Sequence, residues 1–351
     1  ALSIVNKFGE DTLDVIEFNH QKLTEVKGIS ERKANEIYDA FNEIRKMQNA
    51  VMLMQNYDIS TSLAVKIYNT YFDKTETILK ENPYKLCEDV DGIGFFTADR
   101  IARKMGISET SEFRFRAGVL HALKEACDRT GNTFVTRANL ECDVCELLKI
   151  SIDELNINGV LNQLVMDSLI KIFEHDGGEV VVLTKYYNTE KIVGYTLNLF
   201  NEIYKTNDLD VSESIDMFEQ LNHIKMHENQ RDAVTLAVNK GVSVITGGPG
   251  TGKTTIVKCM LQIFKSMRKS VKLLAPTGRA AKRLSESTGE DASTIHRALV
   301  VDFLGSDTFL YNQNNKLPFD VVIVDEVSMV DIQLMYYLTR ALKKGTQLVL
   351  V

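Results

Sequence analysis

Two kinds of apolar spacing divide this chain. Over the first hundred residues the apolar positions recur with helical period. From Val242 onward the period changes to short unbroken runs, VSVIT (242–246), VKLLA (271–275), VVIVD (321–325) and QLVLV (347–351), separated by helical stretches. A strand covered by helices on both faces has no solvent side to mark with polar residues, so these runs predict a parallel sheet in an α/β domain. Between the two regions lies SLIKIFEHDGGEVVVL (168–183), where Asp176-Gly177-Gly178 separates two apolar runs and signals a β-hairpin.

The helical region is repetitive. GISERKANEIYDAF (28–41), DISTSLAVKIYNTY (58–71) and GIGFFTADRIARKM (92–105) align so that Ile29, Ile59 and Ile93 are each followed by Ala34, Ala64 and Ala98, then by Ile37, Ile67 and Ile101. Each unit reads as helix, tight turn and a second helix whose alanine permits close packing, and so resembles the helix-hairpin-helix family. Such turns offer backbone N–H groups to a phosphate oxygen at a helix start. The middle unit carries Asp58 where glycine is expected and is read as structural; for the other two, DNA contact and a scaffold role both fit. Residues 109–187, with FRFRAGVLHALKEACDR, further short helices and the Asp176 hairpin, resemble a winged helix, in which a spacer role fits as well as DNA reading.

Composition narrows the class. Hydrophobic residues make up 44% and charged residues 25% of the 351, and no run approaches the roughly 20 apolar residues of a membrane helix, so a soluble, multidomain globular protein is expected. Cys87, Cys127, Cys142, Cys145 and Cys259 lie in apolar, helix-patterned stretches without a disulfide framework, which points to core packing in a reducing cytoplasm. The net charge of −7 argues against a general nucleic-acid coat, but Lys265, Arg268, Lys269, Lys272, Arg279, Lys282 and Arg283 follow one another without a carboxylate.

The first apolar run ends in Gly247-Gly248-Pro249-Gly250-Thr251-Gly252-Lys253-Thr254, a complete GxxxxGK[ST] between a strand and a helix, with Thr255 beside it. The glycines let backbone N–H groups wrap a β-phosphate, Lys253 brings a cation to the β and γ oxygens, and the Thr254 hydroxyl ligates Mg²⁺. ATP and Mg²⁺ are thus the expected cofactors. Asp325 and Glu326 end the third run; Asp325 is assigned to Mg²⁺ and Glu326 to the general base that activates water.

Which ATPase this is follows from the intervening residues. Leu274-Ala275-Pro276-Thr277-Gly278-Arg279-Ala280-Ala281, Ser293-Thr294-Ile295-His296-Arg297 and the leading His227-Glu228-Asn229-Gln230 together resemble the RecD/TraA family of superfamily 1 DNA helicases. The hairpins in front are similar to the N-terminal extension of its stand-alone members, as opposed to the subunit of the RecBCD complex. The resemblance implies that Gln230 reads the adenine edge and that Pro276, Thr277, Arg279 and Thr294 lie along single-stranded DNA. It further implies 5′→3′ translocation and DNA junctions with 5′ single-stranded tails as substrates, with no membrane partner.

The expected layout is therefore a helix-hairpin-helix domain (1–108), a winged-helix-like α+β domain (109–187), a connecting helix and linker (188–222) and a RecA-like P-loop domain (223–351). A strand-separating pin hairpin is expected within 301–317, around the turn signals Gly305-Ser306-Asp307 and Asn312 to Asn315. The sequence stops at the strand that, by the resemblance, leads into a Gly-Asp-x-x-Gln motif, so an N-terminal fragment without the second motor domain and nearly inactive alone is expected. The rival reading is a non-motor DNA-structure-binding protein with a regulatory P-loop.

Overall fold

The three repeats turn at equivalent left-handed positions, two of them glycines. The computed structural model of the chain describes residues 2–204, 208–248, 250–301 and 309–351. In the first repeat the short 3-10 helix His20–Glu25 turns through 26–30 into the long helix Glu31–Gln55; in the second that helix turns through 56–60 into Thr61–Tyr71. In the third, Leu86–Asp89 turns through 90–94 into Phe95–Lys104. Gly28 and Gly92 adopt φ of +92° and +90°, the left-handed conformation that costs glycine least. Asp58 holds the same place in the middle turn at φ +56°. Its carboxylate pairs with Lys104 of the third repeat, so that charge is answered within the fold. Ala34, Ala64 and Ala98 are all buried, as close helix packing requires.

The hairpins and the region after them form one compact unit, residues 1–181. Helix Glu112–Thr130, strand β1 (Phe134–Thr136), helices Arg137–Leu148 and Ile157–Met166, then strands β2 (Ile170–His175) and β3 (Gly178–Leu183) give a three-stranded sheet of order β1-β3-β2, the winged-helix arrangement. Asp176 and Gly177 turn β2 into β3 with φ of +50° and +80°, the paired positive values of a two-residue hairpin turn. The short strand β1 carries no signal of its own in the sequence. Arg114 is buried where the hairpins meet this region: its guanidinium bonds Asp99 at 2.8 Å and the carbonyls of Glu109 and Leu148.

The second unit, residues 182–351, is built on a five-stranded sheet. Its strands are β4 (Val242–Val244), β5 (Val271–Ala275), β6 (Ala292–Thr294), β7 (Val321–Val324) and β8 (Gln347–Leu350), in the order β4-β8-β7-β5-β6, and every pairing is parallel. Val321 and Ile323 of β7 pack with Leu273, Val349 and the helix Lys253–Ser266 on one face, while Val322 and Val324 pack with Leu274, Leu348 and the helix Ile332–Ala341 on the other. Both faces are covered, which is why the runs read as unbroken apolar sequence. Helix Thr184–Ile203 contributes Val193 and Phe200 to the second face, and helix Ser212–Asn222 contributes Ile215 and Phe218 to the first. Among the described residues no helix is long and apolar enough to cross a membrane.

Cysteine packing is less uniform than the pattern predicts. Cys127 and Cys259 are buried, but Cys142 is exposed and Cys145 only half-buried, because their helix turns that edge toward solvent.

Candidate nucleotide and nucleic-acid sites

All five strands run the same way, so their carboxyl ends share one edge of the sheet, the edge at which ligands bind in open α/β folds. The loop from β4 to the helix Lys253–Ser266 wraps at this edge with Gly250 at φ +78° and Gly252 at φ +85°. Lys253 Nζ donates to the Gly247 carbonyl at 2.7 Å, folding the ammonium back over the loop. The loop tolerates little bulk: a Cβ on Gly247 would stand 2.6 Å from Thr251 Oγ1, and one on Gly252 would stand 2.4 Å from Gln230 Nε2. Pro249 lies outside the described residues. Gly248, Thr254 and Thr255 lie along the loop and the first turn of the helix it feeds, whose amide ends point where an anion is favoured.

Gln230 is tied to this loop. Its Nε2 donates to the Thr251 carbonyl at 2.9 Å, and its Oε1 accepts from the His227 amide at 2.9 Å. The second bond closes a capping box on helix Glu228–Asn239, where His227 Nδ1 accepts from the Asn229 amide. Gln230 thus braces the loop, a role beyond the adenine contact expected of it; the spacing of His227 and Gln230 signals the capping box, while the bond to Thr251 has no local signal in the sequence.

Asp325 and Glu326 stand at the same edge, at the end of β7. One strand, β8, separates β7 from β4, leaving a gap of roughly 10 Å between the glycine loop and the carboxylates. Burial pushes the Asp325 carboxyl above its usual range and the neighbouring Glu326 charge adds to the rise, while the Glu326 amide and the Lys253 ammonium oppose it. An acid so placed is relieved by a cation, which is what the binding of a divalent metal provides. Glu326 is exposed and takes φ +55°, a left-handed conformation that costs a residue with a side chain and clusters at functional positions. Its neighbours hold it there: the Val327 amide donates to the Val351 carbonyl and the Asp325 amide to the Leu274 carbonyl.

The residues assigned to DNA occupy the next two strand ends. Ala275 of β5 lies in register with Thr294 of β6. Pro276 and Thr277 follow β5, and Thr277 caps helix Gly278–Thr288 by accepting from the Ala280 amide at 3.2 Å; Thr294 caps helix Ile295–Leu299 by accepting from Arg297 at 3.1 Å. Two capped helix starts thus lie side by side, with Arg279 exposed on the first.

The basic run does not form one surface. Lys265 pairs with Glu290, Lys269 bonds Gln347, and Lys272 pairs with Asp291 at 3.0 Å. These lie around the end of helix Lys253–Ser266 and the start of β5, which a parallel strand-helix-strand unit places at the far edge of the sheet. Only Arg279, Lys282 and Arg283 follow β5 on the carboxyl side. The run therefore reaches the carboxyl edge only with its last three cations.

For the expected pin, the described ends pair: Val301 bridges Phe309 in antiparallel fashion, and the Leu310 amide donates to Val300 at 2.7 Å. Residues 302–308, with Gly305-Ser306-Asp307, lie outside the described residues. Asn312 forms a local turn in which its Oδ1 accepts from the Asn314 and Asn315 amides.

Comparison with known proteins finds likeness in both units of the chain. A family described as the ATP-dependent RecD2 DNA helicase HHH domain matches residues 43–134, and one described as an AAA domain matches residues 230–351. The ATP-dependent RecD2 DNA helicase of Deinococcus radiodurans is 28% identical over 356 residues, covering 99% of this chain and 49% of that protein. RecBCD enzyme subunit RecD of Mycolicibacterium smegmatis is 39% identical over 147 residues, 35% of this chain and 26% of that one, and its counterpart in Haemophilus influenzae is 35% identical over 187 residues, 46% and 29% respectively. The chain spans about half the length of the longest-matching of these relatives.

Proposed function

Starting from a chain that is RecD-like along its length, with helix-hairpin-helix repeats in front of its P-loop domain, we propose that it is the nucleotide-binding and leading part of an ATP-dependent DNA helicase. The observation that carries this is the common edge: the glycine loop, the Asp325–Glu326 pair and the two threonine-capped helix starts stand at the carboxyl ends of strands of one parallel sheet. Occupancy of the loop and the grip on DNA can then be coupled through one rigid sheet. Likeness over the whole chain to an ATP-dependent helicase favours a motor over a regulatory P-loop. We take the strand to move 5′→3′ across the β5–β6 edge, with junctions bearing 5′ single-stranded tails as substrates and the cytoplasm as the setting.

The tight glycines of the loop and the relieved charge at Asp325 fit ATP with Mg²⁺. When bound, these supply the phosphoanhydride bond and the divalent charge. Lys253, which now bonds Gly247, would turn to the phosphate oxygens, Thr254 and Asp325 would hold the metal, and Gln230 would keep the loop braced with its second N–H left for the adenine edge. Glu326, exposed on its left-handed backbone, would take a proton from the attacking water. Because the 351 residues span about half the length of the relative matched along the whole chain, weak binding of Mg·ATP and negligible turnover are expected of them.

The test is a pair of substitutions. Lys253→Ala abolishes nucleotide binding measured by calorimetry. In the protein extended to the length of its relatives, Glu326→Gln keeps binding and lowers DNA-stimulated hydrolysis by roughly a hundredfold or more, the scale of lost general-base catalysis. Near-normal turnover in Glu326→Gln would move the base elsewhere.

A further inference from the structure

Four loops turn at the amino-terminal edge of the sheet, opposite the glycine loop: 240–241 before β4, 267–270 before β5, 315–320 before β7 and 342–346 before β8. Together they carry Lys240, Arg268, Lys269, Lys316, Lys343 and Lys344 against a single carboxylate, Asp320, in a chain whose net charge is −7. Helix Ile332–Ala341 ends at the same edge and adds Arg340. Hydrogen bonds tie the loops to their surroundings: the Ser270 amide and hydroxyl donate to Asp320, Lys316 to the Arg340 carbonyl, the Thr346 hydroxyl to the Phe319 carbonyl, and the Gln347 side-chain amide to the Lys240 carbonyl. The cations are therefore held at fixed separations. Strands β4, β8, β7 and β5 are neighbours, so their starts span roughly 15 Å.

Internal partners leave most of this charge unanswered. Lys343 reaches Asp320 only at 3.9 Å, and Lys269 is engaged by Gln347 and the Tyr204 and Phe264 rings. Lys240, Arg268, Lys316, Arg340 and Lys344 form no ion pair among the described residues, and Arg268, Lys316 and Lys344 are exposed. Partial burial pushes the Lys316 ammonium below its ordinary value, and the adjacent Arg340 charge pushes it the same way. Arg268 takes φ +57° just past helix Lys253–Ser266, a left-handed position that helix ends usually give to glycine, so an arginine stands where a smaller residue would cost less. Like charges kept together in this way are relieved by an anionic ligand.

That ligand must need little apolar contact, since Met267 is the one exposed large apolar side chain on these loops. A protein partner is anchored by an apolar interface centre from which lysine is depleted, whereas a phosphate backbone is held by cations alone. We infer that the amino-terminal edge of this sheet is a second nucleic-acid surface, which holds the phosphate backbone of duplex DNA while the carboxyl edge takes the single strand. Duplex fits because its two phosphate rows are rigid, flank a major groove about 12 Å wide and carry one charge per about 1.7 Å, twice the density of one strand. Fixed cations spread over a comparable span meet several such phosphates at once, and the contact is indifferent to base sequence. The inference rests on the reading that this chain acts on DNA.

Fluorescence anisotropy of the 351-residue chain tests it, using a labelled blunt duplex and a labelled oligothymidylate. Arg268→Gln, Lys316→Gln and Lys344→Gln, all at exposed side chains, are each expected to weaken duplex binding roughly 3- to 10-fold at about 0.1 M salt and to lower the log–log salt slope by about 0.9, one phosphate contact. Lys344→Arg keeps the charge and retains both. None of these changes the affinity for oligothymidylate, which Arg279→Ala lowers. Unchanged duplex affinity when the three Gln substitutions are combined overturns the inference, while an Arg279 effect on oligothymidylate leaves the carboxyl edge standing. Equal losses for the two oligonucleotides overturn the assignment to duplex. Polyglutamate of equal charge that competes as well as unlabelled duplex overturns the nucleic-acid partner and assigns the edge to an acidic protein segment. Binding of neither oligonucleotide overturns the inference and the reading of a DNA-acting chain together.

Discussion

Asp325 is half-buried among β-strand ends with Glu326 beside it, and its carboxyl titrates above the ordinary aspartate range. A carboxyl raised in the folded state favours the protonated form, so its stabilising effect is present below the unfolded value and is lost as pH rises through the folded one. At neutral pH the ionised residue therefore weakens the ligand-free fold. Asp325→Asn is expected to raise Tm by about 2 °C at neutral pH, a gain that disappears as pH falls below roughly 4, and to abolish Mg²⁺-dependent nucleotide binding. Scanning calorimetry across pH measures the first and titration the second. Asp99 behaves in the opposite way: burial alone would raise its carboxyl, but hydrogen bonds from Arg114 and Tyr84, with the charges of Arg114 and Arg103, hold it below the usual range. Its contribution is present above the ordinary value and is lost as pH falls through the lowered one. Arg114→Met leaves the Asp99 carboxylate with Tyr84 and Arg103 alone and takes the donor from the Glu109 and Leu148 carbonyls, and denaturant unfolding is expected to show a loss of about 2 kcal/mol.

At the scale of elements, the three hairpin turns show how much of a repeat is carried by a single backbone angle. Gly28, Asp58 and Gly92 occupy equivalent left-handed positions, and the alignment of the repeats makes that equivalence legible in the sequence. What it did not show was the partner of Asp58, because Lys104 lies in another repeat and reaches it only through folding. Gly92→Val forces a β-branched residue into the left-handed region and is expected to cost roughly 1–2 kcal/mol in thermal unfolding of the hairpin unit. Asp58→Gly exchanges relief of the same strain for loss of the ion pair and is expected to change Tm far less. A larger loss in Asp58→Gly than in Gly92→Val would show that the pair with Lys104 outweighs the backbone.

For the whole molecule the net charge is −7, so a grip on DNA depends on where uncompensated cations fall. The run from Lys265 to Arg283 is continuous in sequence but divided by the sheet, with carboxylates or Gln347 engaging its first half at the far edge. Arg279→Ala is expected to lower single-strand affinity and to reduce the salt dependence by about 0.7 in log–log slope, one phosphate contact, while Arg268→Ala leaves both unchanged. Equal effects of the two would place the strand elsewhere.

The sequence by itself determined the parts whose information is local. These are the glycine loop, the repeat turns, the β2–β3 hairpin at Asp176-Gly177 and the buried strands, each set by backbone angles or by burial on both faces that a few adjacent residues encode. It also supplied β6 as a motif without revealing it as a strand, since three residues are too short to show a period. Tertiary structure alone decided the bracing of the loop by Gln230, the left-handed backbone of Glu326, the sorting of one basic run to two edges and the cluster of cations at the amino-terminal edge. Each depends on groups distant in the chain meeting across a sheet, and the distances, burial and competing partners that govern their chemistry exist only once the strands have paired.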